Sequence, residues 1–172
     1  STNVFLLCDF GIACDDKTYL PKDSYFFTRY YRAPELLLSV EVEDDRIINC
    51  IDFAACDWWG LGITLIELMY TTVHQEQFTA AENSKDMLKL VTLLCGTEAL
   101  VSEIANRHDA LGDYMRGSAH TMLDSMHVVQ DKTLLRDTVE DFFGEVDHPM
   151  AAVITQMLSI DPSLRAKKIA NE

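Results

Sequence analysis

Thr28-Arg29-Tyr30-Tyr31-Arg32-Ala33-Pro34-Glu35 is the stretch on which the reading of this chain turns. It is long and specific, and other signals stand on both sides of it. Upstream, Asp9-Phe10-Gly11 follows directly on Val4 to Cys8, a short continuous apolar run that reads as a buried strand. The tripeptide alone is a weak signal; the order strand, tripeptide, polar loop strengthens it. Downstream, Asp57-Trp58-Trp59-Gly60-Leu61-Gly62 has the pattern D-x-W-x-x-G at the head of an apolar helix. Near the end comes Asp161-Pro162-Ser163-Leu164-Arg165.

The composition sets the frame for these signals. A chain of 172 residues that is 48% hydrophobic fits one domain with a sizeable core. With only 4 Pro and 7 Gly, no long disordered stretch is indicated. A formal net charge of -14 argues against nucleic acid or an anionic membrane surface as the main partner, since both would repel it. It favours basic partners, although a plainly solvated acidic surface accounts for the charge as well. The five cysteines, Cys8, Cys14, Cys50, Cys56 and Cys95, are odd in number and form no C-x-x-C, so neither a disulfide framework nor a zinc site is suggested. A reducing compartment is the default expectation. No apolar run reaches membrane-spanning length, no signal peptide is visible, and a chain that opens on Ser1 is expected to be a fragment of something longer.

Along the chain, Cys14 to Ser24 reads as an exposed polar loop, and Glu41 to Arg46 as exposed and acidic. From Ala54 to Tyr70 apolar residues cover more than one helical face, which predicts a central, buried helix. Ser84 to Cys95 predicts a half-buried helix with Met87, Leu88, Val91, Leu94 and Cys95 on its apolar stripe, Asp86 near its start and Gly96 just past its end. Leu100 to Asp141 is less regular and predicts short helices and loops. Met150 to Ile160 predicts another helix, ended by Asp161-Pro162, and Leu164 to Glu172 begins one more. After the first few residues the pattern is almost all helical.

In order and spacing the motifs resemble the second half of a eukaryotic protein kinase domain. The stretch T-R-Y-Y-R-A-P-E narrows the resemblance to the group of cyclin-dependent, mitogen-activated and glycogen-synthase-type kinases. Within it the chain looks most like a mitogen-activated protein kinase, on Phe78 through Gly96-Thr97, Glu103-Ile104-Ala105-Asn106 and Tyr114-Met115-Arg116, although Glu98 stands where the group usually has Pro. The resemblance implies a mostly α fold, the large C-terminal lobe of a kinase beginning at the strand before D-F-G. Residues 1–172 would be a partial kinase domain, with an activation segment over 9–35 and a helical lobe over 36–172. The sequence contains no Gly-rich phosphate loop, no V-A-I-K lysine and no H-R-D, so the N-lobe, the catalytic loop and every catalytic residue are expected to lie outside this chain.

The implied roles follow residue by residue. ATP and Mg²⁺ are the implied cofactors of the complete kinase, because phosphoryl transfer needs the phosphate charge neutralised by a hard cation on carboxylate oxygen. Asp9 would hold that metal against the phosphates, Phe10 would pack inward and report the active or inactive state, and Gly11 would give the loop its backbone freedom. Where the subgroup places Thr-x-Tyr, this chain has Asp23, Ser24 and Tyr25. Tyr25 is the implied regulatory phosphorylation site, and Asp23 a weak stand-in for a phosphothreonine. Arg29 and Arg32 match the family's phosphotyrosine-binding arginines, whose paired guanidinium groups suit a phosphate of about -1.5 to -2 charge. Phe27 and Thr28 complete the implied substrate pocket, with the Phe27 carbonyl turned towards Arg32. Glu35 and Arg165 match a buried ion pair. Asp57 matches a carboxylate that accepts N–H bonds from the catalytic loop, or is a plain helix cap. The expected function of the complete kinase is proline-directed phosphorylation of protein Ser or Thr, this chain alone being inactive; the rival reading is an inactive kinase-like binding or scaffold module. Protein substrates with basic docking segments and an upstream activating kinase are the implied partners, without nucleic acid or membrane, at a cytoplasmic and/or nuclear location.

Overall fold

The structure, a computed structural model, describes residues 4, 6–11, 13, 27–39, 44–76, 78, 81–123, 133–145 and 148–165, the side chains of 119–123 and 133 excepted. A 3₁₀ turn over Arg29–Tyr31 leads into α1 (Pro34–Leu38) and α2 (Asp45–Ile48). The long α3 (Phe53–His74) follows, then α4 (Ser84–Cys95), α5 (Thr97–Asn106) and α6 (Ala110–Leu123). The order ends with α7 (Thr133–Phe143), α8 (Pro149–Met157) and α9 (Pro162–Arg165).

Asp52 starts α3. Its carboxylate accepts the Ala55 N–H at 3.1 Å and so satisfies one of the donors that a helix start leaves open. Ala55, Cys56, Trp59, Ile63, Ile66 and Met69 then recur at helical spacing and are all buried. The helix is central as the sequence predicts, packing against α7, α8 and α9, but it is not wrapped on every side. Asp57, Leu61, Thr64 and Leu68 form an outward stripe, with Leu61 43% and Leu68 49% exposed. Gly62 permits the closest approach to α8: a Cβ there would stand 2.9 Å from a Leu158 methyl and 3.0 Å from the Met157 Cβ.

α4 has the predicted span. The Asn83 side chain caps it by accepting the Asp86 N–H at 3.0 Å, and Gly96, at φ 84°, ends it in a conformation that residues with a Cβ rarely adopt. Its five predicted stripe residues are buried. The stretch from Leu100 to Asp141, in contrast, is more regular than predicted. Among the described side chains, α5 and α6 each carry one buried apolar i, i+4 pair, Leu100 with Ile104 and Leu111 with Met115. Such narrow stripes, diluted in α6 by Gly112 and Gly117, give a weak periodic signal.

α8 ends before the predicted Ile160: the Ser159 N–H bonds the Gln156 carbonyl at 3.1 Å, a tightened last turn, and the Ser159 and Ile160 carbonyls beyond it accept from Arg165. Pro162 opens α9 rather than only closing α8. Residues 166–172 of the last predicted helix lie outside the described residues, as does the predicted loop from Cys14 to Ser24. In the predicted acidic stretch, Asp44 caps α2 by accepting the Arg46 N–H at 2.9 Å. The predicted buried strand over Val4 to Cys8 is a correction: its described residues form no strand, and Val4, Leu6 and Leu7 are 72%, 83% and 84% exposed. A strand needs a neighbour to take its N–H and C=O groups, and no described segment runs beside this one.

Candidate functional site

Glu35 lies in the first turn of α1, directly after Pro34 at N1, and Arg165 is the last residue of α9. The structure brings them together across 130 positions of sequence. Both are buried, at 2% and 0% exposure. Arg165 donates from Nη1 to Glu35 Oε1 at 2.7 Å and from Nη2 to Oε2 at 2.9 Å, a two-pronged pair. Its other donors reach the carbonyls of Ala55 (3.3 Å), Ile160 (3.0 Å) and Ser159 (2.7 Å). A guanidinium has five N–H donors, so all are used. The indole of Trp59 lies beneath the cation, 5.1 Å from ring centre to guanidinium carbon. Cys56 donates its thiol to Glu35 Oε1 at 3.3 Å. Burial, then the charge of Glu35, pushes that thiol far above the usual range, so it remains a donor and not a thiolate nucleophile.

Eight residues before Glu35 the chain makes a second arrangement. Arg32, also buried, donates from Nε to the Phe27 carbonyl at 2.8 Å. The Phe27 ring stacks on Phe53, the first residue of α3, at a 6° interplanar angle. The ring thus fixes the backbone whose carbonyl Arg32 holds. Thr28 is exposed and its carbonyl accepts the Tyr31 N–H at 2.9 Å, closing the 3₁₀ turn. Arg29 is exposed and reaches the Glu82 carbonyl, 2.7 Å away, beside the start of α4. Tyr31 donates its hydroxyl to Glu67 of α3 at 2.8 Å, and that bond, with burial and the charge of Glu67, raises the phenol above its usual value.

A sequence model described as the protein kinase domain matches residues 1–170. The chain belongs to the protein kinase family. Mitogen-activated protein kinase 6 of Arabidopsis thaliana is 30% identical over 161 residues, covering 92% of this chain and 33% of the relative. Mitogen-activated protein kinase 3 of the same plant is 27% identical over 160 residues, 92% of this chain and 36% of the relative. Cyclin-dependent kinase F-4 of Oryza sativa subsp. japonica is 32% identical over 94 residues, 55% of this chain and 18% of the relative. The chain therefore spans about a third of the length of its mitogen-activated relatives, and its mostly helical fold fits the large lobe of a kinase. No solved structure matches it.

The remaining kinase-type residues sit apart from these two arrangements. Asp9 takes a left-handed backbone conformation, φ 65°, which Asp tolerates better than most residues, and its side chain is exposed. Phe10, expected to pack inward, is 62% exposed, because the segment carrying it runs clear of the helical core. Asp9 offers one open carboxylate, which fits the way Mg²⁺ is held in phosphoryl-transfer sites, by one or two carboxylates together with substrate phosphates. Asp57 is inside the second turn of α3 and is not its cap, since Asp52 has that role. Its carboxylate is exposed at the surface, yet the packed helices beneath it keep enough water away to raise it above the usual carboxylate range. Tyr25 and Asp23 lie outside the described residues. Sequence reasoning missed Trp59, Cys56 and Phe53 as the supports of the two arrangements. The Trp and Gly of D-x-W-x-x-G were the available signal: one holds Arg165, the other admits α8.

Proposed function

We propose that the protein to which this chain belongs is a Ser/Thr protein kinase that is proline-directed, using ATP and Mg²⁺. The bond from Arg32 Nε to the Phe27 carbonyl, 2.8 Å, is the observation that carries the reading. A substrate peptide lying against Thr28 presents the N–H of the residue after its target hydroxyl. With the Phe27 carbonyl already taken by Arg32, that N–H meets no acceptor, which costs about 1–3 kcal/mol in a desolvated groove. Proline has no N–H and escapes the penalty. Preference thus arises by rejection of other residues. Asp9 would hold the metal, which supplies charge neutralisation at the phosphates. Tyr25 is the proposed regulatory phosphorylation site, with Arg29 and Arg32 on the downstream side of it. Protein substrates and an activating kinase are the proposed partners, at a cytoplasmic and/or nuclear location.

The test gives the complete enzyme two peptides that differ only in Ser-Pro against Ser-Ala. A kcat/KM ratio of about ten or more for Ser-Pro is expected from the penalty above. A ratio near one overturns the mechanism. In the same enzyme Arg32→Gln should narrow the ratio by raising turnover of Ser-Ala relative to Ser-Pro.

A further inference from the structure

Between α4, α5, α7 and α8 lies a half-open cavity of about 420 Å³, within the range of about 300–1,000 Å³ usual for small-molecule sites. Ala99, Leu135 and Ala151 give it its accessible apolar surface, over a packed floor of Leu94, Val139 and Leu158. The one charged residue on its described lining is Arg136 of α7, which is exposed. The other described arginines all have partners: Arg29 and Arg32 reach carbonyls, and Arg46, Arg107, Arg116 and Arg165 reach carboxylates. Arg136 meets no hydrogen-bond or ion-pair partner among the described residues. Thr155, on the same lining, is exposed and likewise has no partner among them.

We propose that this cavity binds a single-chain fatty acid. The alkyl chain lies along the apolar floor, which removes part of its surface from water. The carboxylate meets Arg136, a fork of donors suited to a planar anion, and the Thr155 hydroxyl adds a further donor. Charge selects the ligand class: in a chain of formal charge -14, the single lining cation gives a reason for an anionic head group to settle here. The site also touches the kinase architecture. Leu158, Ser159 and Ile160 line the cavity, and the carbonyls of the last two hold Arg165. A bound chain therefore braces the strap that fixes the Glu35–Arg165 pair, which makes the ligand a stabiliser of the lobe. This inference is independent of proline direction.

The test is calorimetric titration of the 172-residue chain with dodecanoate, dodecanol and dodecyltrimethylammonium, each below its micellar concentration, with thermal melts alongside. Saturable one-to-one binding of dodecanoate is expected, about tenfold tighter than dodecanol, from one charge-assisted contact. The ammonium should bind weakest, and dodecanoate should raise the melting temperature. Arg136→Ala should bring dodecanoate to the level of dodecanol, and Ala151→Trp should abolish both. Arg136 is exposed, so its variant keeps the test valid even where Ala151→Trp fails to fold. Absence of saturable binding, equal binding of the three head groups, or dodecanoate binding unchanged in Arg136→Ala would overturn the proposal.

Discussion

Glu35 and Asp9 are both acidic residues of kinase-type motifs, and they stand in opposite conditions. Glu35 is buried, and both its oxygens are bonded to Arg165. Asp9 is exposed, on a segment whose described apolar residues face solvent. The difference is one of partners. Everything Glu35 needs lies among the described residues: an arginine, a thiol, an indole beneath the arginine and three carbonyls around it. Among the described residues, the segment around Asp9 has no strand beside it and no apolar surface over Phe10. A motif specifies a conformation only together with the groups that satisfy it. The same sequence thus holds one region with its own core and one region without.

The largest effect is expected at Arg165. Arg165→Ala leaves the Glu35 charge buried without compensation and should cost about 3–5 kcal/mol, read from urea unfolding. An unchanged midpoint would mean that the pair does not hold α1 to α9. Next is Gly62→Ala, which puts a methyl against Leu158 and Met157 and should cost about 1–3 kcal/mol. A neutral result would mean that α3 and α8 are not in close contact.

A smaller effect is expected through pH. Burial alone would raise the Asp109 carboxyl, but hydrogen bonds from Arg107 and the Gly112 N–H, with the guanidinium charge, outweigh it and hold it below the usual range. A carboxyl depressed in the folded state adds stability above its unfolded value of about 3.9, and that stability is lost as pH falls through the folded value. Asp109→Asn should therefore melt lower than the parent at pH 7, with the gap closing below about pH 4. A gap constant with pH would remove the charge from the explanation. The smallest effect is expected at Phe10→Ala, within about 0.5 kcal/mol of the parent, since the ring is already exposed.

How much of this was legible in the sequence depended on the same distinction. α4 was readable to the residue, because its five-residue stripe, Asp86 and Gly96 all report on that helix alone. The centrality of α3 was readable too, but not its outward stripe. Leu61 and Leu68 are apolar, and composition does not say which apolar residues find a neighbour. α5 and α6 were hidden because, among the described side chains, each shows only a narrow buried apolar pair. The end of α8 was hidden because Leu158 and Ile160 stay buried beyond its last residue, so the apolar pattern runs on past the helix. For the candidate site, the partners Glu35 and Arg165 were legible from motifs, and so was the turn of the Phe27 carbonyl towards Arg32. Their supports at Trp59, Cys56 and Phe53 were not, since contact across the fold leaves no local pattern. The strand at Val4 to Cys8 failed for the complementary reason: its apolar run is a local pattern, and the strand partner is not local.

Hydrogen exchange followed by mass spectrometry on the 172-residue chain measures both regions at once and tests the contrast between them directly. Amides from Cys56 to Met69 should exchange only by global unfolding, while those from Leu6 to Gly11 should exchange at the rate of an unstructured peptide. In Arg165→Ala, protection of α1, α3 and α9 should fall together and the Leu6 to Gly11 rates should stay as they were. Equal protection of the two regions in the parent chain, or a loss in Arg165→Ala confined to α9, would contradict it.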